Sequence, residues 1–227
     1  MIRCAAKKKA KKAKKTLDEK ILLVISYFIK ISLVIAIISA AFSRSWSVVF
    51  VSSLSLFLTF LPAIFERNYK IHLPAELEII VVVFIYAALF LGEVHQYYTR
   101  YWWWDVVMHT GSGIVLGFAG FIIVFILYHE QKVRTSPLFI AVFSFCFAVS
   151  IGVLWEIVEF SIDMLCNTNM QKSGIVDTMW DLIVDSAGAL ITSIMGFFYI
   201  KCGRAPIFKG FLRRFIKENP KLFIPRK

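Results

Sequence analysis

Three stretches of otherwise apolar sequence carry acids and histidine at helical spacing. WDVVMH holds Asp105 and His109; WEIVEFSID holds Glu156, Glu159 and Asp163 at i, i+3 and i+7; DTMWDLIVD holds Asp177, Asp181 and Asp185 at intervals of four. In an α-helix such intervals stack side chains on one face. A carboxylate beside an imidazole can bind a metal, hold the tautomer of a liganding ring, or act as a general base. Carboxylates one turn apart repel, so they require a cation, a shared proton or a basic neighbour. The basic candidates at this edge of the apolar segments are Arg44, Arg100 and Lys172.

Each group also has a plainer reading. Asp105 lies near a helix start, where the dipole favours an acid, and His109 can bond a neighbouring helix. Asp177 fits a helix cap or a loop. Glu93 and His95, in LGEVHQYY, and Asp163 fit the rim. Asp185 is too far into its segment to be a cap. Three helices then each deliver a pair to one depth: Asp105/His109, Glu156/Glu159 and Asp181/Asp185. Bundle-core metal sites are built this way, although their Glu-x-x-His element is missing. The expected metal ligands are Asp105, His109, Glu156, Asp181 and Asp185, with His109 alternatively a proton shuttle and Glu159 a general base. An oxygen-rich set favours Mg, Mn, Ca or Fe; zinc with a mixed shell and an open position stays available.

The elements that must position these groups are membrane spans. Of 227 residues, 59% are hydrophobic, and the mean hydropathy is +0.71. Apolar runs at 20–42, 46–65, 76–92, 105–128, 138–162 and 182–201 have the ~17–25 residues needed to cross a bilayer, predicting an all-α, polytopic bundle of about six helices. Domain organisation follows: a Lys-rich tail at 1–19, a membrane domain at 20–201 and a basic amphipathic tail at 202–227. The net charge of +11 sits in tails and short loops, a topology signal rather than a nucleic-acid stripe. With the N-terminal lysines in the cytoplasm, alternation puts all but Lys30, Arg44, Arg100 and Lys172 of the 26 Lys and Arg inside. Both termini are then cytoplasmic and the acids extracytoplasmic. The first run, with Ser39-Ala40-Ala41, also has the flavour of a signal segment.

Other features are subsidiary. Ile207, Phe208, Phe211, Leu212, Phe215 and Ile216 interleave with Lys209, Arg213, Arg214 and Lys217, predicting an amphipathic helix on the cytoplasmic face. Small residues at Gly111, Ser112, Gly113, Gly117 and Gly120, and at Ser186, Ala187, Gly188, Ser193 and Gly196, permit close helix approach. This would bring Asp105 and His109 toward Asp181 and Asp185. Cys4, Cys146, Cys166 and Cys202 form no C-x-x-C pair and imply no disulfide framework.

The segments LPAIFERNYKIHLPAELE, FLGEVHQYY, WWWDVVMHTGSG, WEIVEF and DTMWDLIVDSAGA resemble the YjdF-type family of uncharacterised bacterial inner-membrane proteins, over about residues 61–200. Some members have Gln-Gly where this chain has Ile175-Val176 before Asp177. The resemblance implies a multi-pass inner-membrane protein and points to Asp105, His109, Glu156, Glu159, Asp181 and Asp185; it supplies no reaction. The functional expectation is a metal-dependent hydrolase or transferase on a lipid-borne ester or phosphate, with membrane lipids as partners and no nucleic acid. The alternatives are a cation or proton transporter, for which the inner halves of the helices are poorly furnished, and a non-catalytic scaffold tied by a structural cation.

Overall fold

The computed structural model describes residues 17–129, 135–203 and 206–220; most of the Lys-rich tail, Lys132, Arg134, Arg204 and the last residues of the C-terminal tail lie outside them. The described chain folds as α1 (Leu17–Phe42), α2 (Trp46–Leu58), α3 (Leu61–Tyr69), α4 (Ala75–Ile85), a π-helix π1 (Tyr86–Val94), α5 (Tyr97–Arg100), α6 (Trp104–His129), α7 (Pro137–Cys166), α8 (Ile175–Cys202) and α9 (Pro206–Glu218). Among the described residues, six helical stretches are long and apolar enough to span a membrane: Leu23–Phe42, Trp46–Asn68, Ala75–Val94, Trp104–Tyr128, Pro137–Cys166 and Ile175–Cys202. Their outward surface exposes large apolar side chains such as Phe28, Phe50, Phe57, Leu154, Ile157 and Phe160, as lipid contact requires.

Three boundaries differ from the sequence expectation. The second span is broken after Leu58, because the ring of Pro62 meets the carbonyl four residues earlier and has no N–H to offer. The third span changes pitch to π at Tyr86. The sixth begins at Ile175 rather than 182, which brings Asp177 and Asp181 into the helix with Asp185. Asp177 sits in the first turn but is not the cap, a position held by Gly174.

Two sub-bundles result. Helices α6, α7 and α8 pack closely on one another, while α1, α2, α4 and π1 form the second group. The α6–α8 crossing is set by Gly113, where any Cβ would strike the Asp185 carbonyl, and by Gly188, where it would strike the Thr110 carbonyl. The small residues therefore do what helix approach in lipid demands of them. Ser144 donates to the Gly117 carbonyl at 2.5 Å and Thr192 to the Ile114 carbonyl at 3.1 Å, adding polar ties between helices.

Far from the acids, α9 packs against the bundle instead of only lying beside it. Leu212 and Phe215 are fully buried, and Leu212 joins Phe121, Val124, Phe125 and Ile140 in one core. Asn219 clamps the chain before α4: His72 N–H donates to its Oδ1 at 2.6 Å and its Nδ2 donates to the His72 carbonyl at 2.6 Å. Arg214 pairs with Glu76. The exposed cysteines Cys146, Cys166 and Cys202 are unpaired; Cys4 lies outside the described residues.

Candidate metal centre

His109 is the hub of the acidic end. It lies one turn into α6 and is only 8% exposed. Its Nδ1 faces Asp185 Oδ2 at 3.3 Å, and its Nε2 faces Asp105 Oδ1 at 3.6 Å and Asp181 Oδ2 at 3.9 Å. One ligand atom from each of Asp105, His109 and Asp181 falls within 4.8 Å of the others. Metal–ligand bonds of ~2.0–2.1 Å place neighbouring ligand atoms ~3.0–3.4 Å apart. Closing even a 4.8 Å gap to that range takes side-chain movement of up to about an ångström per group, so this Asp/His/Asp group could hold a metal ion.

Asp185 stands on the other side of the ring. Ser112 Oγ donates to its Oδ1 at 2.6 Å, and Gly152 gives it room, since a Cβ there would lie 2.7 Å from Asp185 Oδ2. A carboxylate on the non-liganding nitrogen is the arrangement that orients metal-bound imidazoles. Sequence reasoning grouped Ser112 with the packing residues and did not single out Gly152; both are second halves of the Asp185 contact, and neither residue type advertises that role.

Glu156 is apart from the trio but in electrostatic range of His109 and Asp185. It is 4% exposed; neither carboxylate oxygen receives a well-formed hydrogen bond, and the Thr178 hydroxyl of α8 is the donor beside it. A buried carboxylate so under-satisfied is costly unless a cation or proton meets it. Glu159, one turn on, lines a cavity of about 280 Å³ whose polar end also includes Glu93, Tyr98, His109, Ser112 and Asp185. Glu93 is thus at the cavity rather than merely at a rim. Both Glu93 and His95 are exposed, but His95 is not part of the cavity lining and packs edge-on against Phe90 with ring centres 5.0 Å apart.

The loop after α7 supplies the basic neighbour. Asp163 accepts from Thr168 Oγ1 at 2.6 Å, Met170 N at 2.8 Å and Gln171 N at 2.9 Å, and Gln171 Nε2 donates to Thr178 Oγ1 at 2.7 Å. This folded loop carries Lys172, whose Nζ donates to Asp105 Oδ2 at 2.5 Å and lies 4.9 Å over the Tyr98 ring. Tyr98 went unremarked in the sequence. Its ring packs so closely on Gly92 that no Cβ fits there. Burial, with Asp105, Glu93, Glu159 and Asp181 nearby, raises the pKa of its phenol; the group stays a neutral hydrogen-bonding hydroxyl at any physiological pH.

Residues 22–202 match the family described as "Predicted membrane protein (DUF2238)". This agrees with the resemblance to an uncharacterised membrane-protein family, though under a different name from the YjdF type. An "Uncharacterized protein" of Thermotoga maritima is 25% identical over 129 residues, covering 57% of this chain and 66% of its own length; the aligned part is thus just under two thirds of that relative. No solved structure matches.

Proposed function

The chain belongs to the DUF2238 family of membrane proteins, and from that premise we propose that it is a metal-dependent membrane enzyme, a hydrolase or transferase acting on a lipid-borne ester or phosphate. The observation that carries this reading is the convergence of Asp105, His109 Nε2 and Asp181 at the polar end of a largely apolar cavity. The buried, under-satisfied carboxylate of Glu156 supports a positive charge at the same depth. A divalent ion bound there would polarise a substrate oxygen and acidify a bound water. Asp105, His109 and Asp181 hold the ion in this account, Glu156 adds a third carboxylate, and Asp185 with Ser112 fixes the ring. Glu159, facing the cavity, takes a proton from the attacking group. In this reading the site faces the extracytoplasmic side of a bacterial inner membrane with both termini in the cytoplasm, an orientation the Lys and Arg distribution favours.

The contact between Lys172 and Asp105 favours a second reading, in which the same groups form a non-catalytic network already partly neutralised by the protein. Transport is favoured less. Toward the other end of α6, α7 and α8 the described residues offer only scattered hydroxyls, Ser144, Thr192 and Ser193, each tied to a helix carbonyl, and no carboxylate continues the path.

Metal analysis of purified protein, with Asp105→Asn and Asp181→Asn beside it, tests the proposal. About one divalent ion per chain, lost in both variants, is expected. Metal-free protein whose stability is indifferent to added Mg, Mn, Fe or Zn refutes it and leaves the network reading.

A further inference from the structure

The cavity lies between the two sub-bundles. Its long wall is hydrocarbon, built from Leu58, Phe84, Leu89, Leu116 and Ile151, and its polar groups are gathered at the acidic end. We propose that it is a side-entry site for one hydrocarbon chain of a bilayer lipid, with the lipid's headgroup end held against the acidic cluster. This deepens the enzymatic reading and rests on it for what happens at the headgroup.

Three observations support that occupant. First, the volume of about 280 Å³ is at the lower edge of the ~300–1,000 Å³ typical of small-molecule sites. It has room for a chain segment and not for a whole two-chain lipid, whose remainder would stay in the bilayer. Second, the cavity has a seam. One wall is α7 and the opposite wall is α4 with π1, yet α7 packs on α6 and α8, whereas α4 and π1 pack on α1 and α2, with no extensive packing of α7 against α4 or π1 among the described residues. Trp155 belongs to the cavity lining and is also 43% exposed on the protein surface, which places it on this seam. Third, the seam lies within membrane-spanning segments, where the surrounding medium is lipid. An apolar cavity does not attract water, and hydrocarbon is the neighbour available to fill it. From His109 to Leu116 the lining descends ~10 Å along α6, so a chain entering by the seam runs away from the acids into the apolar half.

The test is photo-crosslinking of the full-length protein in phosphatidylethanolamine and phosphatidylglycerol vesicles containing a trace of phospholipid with a diazirine on one acyl chain. Labelled residues are located by tandem mass spectrometry. Label is expected on Leu89, Leu116 or Ile151 as well as on the lipid-facing Leu154 and Phe160. Ala88→Trp, which fills the cavity, should lower the interior label at least fivefold while leaving Leu154 and Phe160 unchanged. Wild-type label confined to the lipid-facing residues overturns the proposal without needing any variant to fold. Interior label that is indifferent to both Ala88→Trp and Ile151→Trp also overturns it. Interior label on a protein that binds no metal would defeat the metal reading and spare this one; a metal-loaded protein with an unlabelled interior would do the reverse.

Discussion

Replacing Asp185 with Asn separates an orienting carboxylate from a ligand. Asp185 sits 3.3 Å from His109 Nδ1 and accepts from Ser112 at 2.6 Å, whereas Nε2 looks toward Asp105 and Asp181. Asparagine keeps the shape and one acceptor oxygen but removes the charge that holds the Nδ1 proton. Loss of such an outer carboxylate weakens metal binding by about 10–100-fold, equivalent to about 1.4–2.7 kcal/mol. Asp181→Asn, which alters a ligand itself, should weaken it further. Calorimetric titration of Mn²⁺ or Zn²⁺ into detergent-solubilised, chelator-stripped protein measures both variants against wild type. An Asp185→Asn affinity equal to wild type would show that the ring needs no orienting partner. A loss exceeding that of Asp181→Asn would make Asp185 a ligand and refute the assignment of the two ring nitrogens.

Other outcomes follow from neighbouring contacts. Lys172→Gln removes a tethered cation from Asp105; since such partly exposed pairs contribute up to about 1 kcal/mol, divalent-ion affinity should rise by up to about fivefold in the same titration. Gly113→Val drives a side chain into the Asp185 backbone, and overpacking of this kind costs about 1–3 kcal/mol, visible as a lower thermal midpoint together with weaker metal binding. Asn219→Ala leaves the His72 N–H and carbonyl without their partner, a cost of about 1–3 kcal/mol; hydrogen exchange should speed up across Pro206–Glu218 and not around His109.

The spans were legible because hydropathy and length alone decide them, and the convergence of Asp105 and His109 with Asp181 and Asp185 followed from glycine and serine on the facing helices. The break at Leu58 was also available, from Pro62, but a continuous apolar run hid it. Nothing in YAALFLGEV announces a π-helix, so the cavity wall carrying Ala88, Leu89 and Glu93 could not be foreseen. The division of labour around His109 depends on which nitrogen faces which helix, a matter of rotamers and helix rotation. Likewise Lys172 was visible as one of a few cations at this edge, yet its choice of Asp105 depends on a loop folded around Asp163. The terminal helix read correctly as amphipathic, but amphipathicity does not say whether the apolar face meets lipid or, as with Leu212 and Phe215, the protein's own core.

The central claim is that Asp105, His109 and Asp181 hold a divalent cation. An experimental structure of protein supplied with Mn²⁺ or Zn²⁺, with anomalous scattering recorded at the metal edge, tests it most directly. The account predicts a single anomalous peak about 2.0–2.2 Å from His109 Nε2 and from carboxylate oxygens of Asp105 and Asp181, with Lys172 moved off Asp105. A map without a peak at His109, and with Lys172 still seated on Asp105, would contradict it.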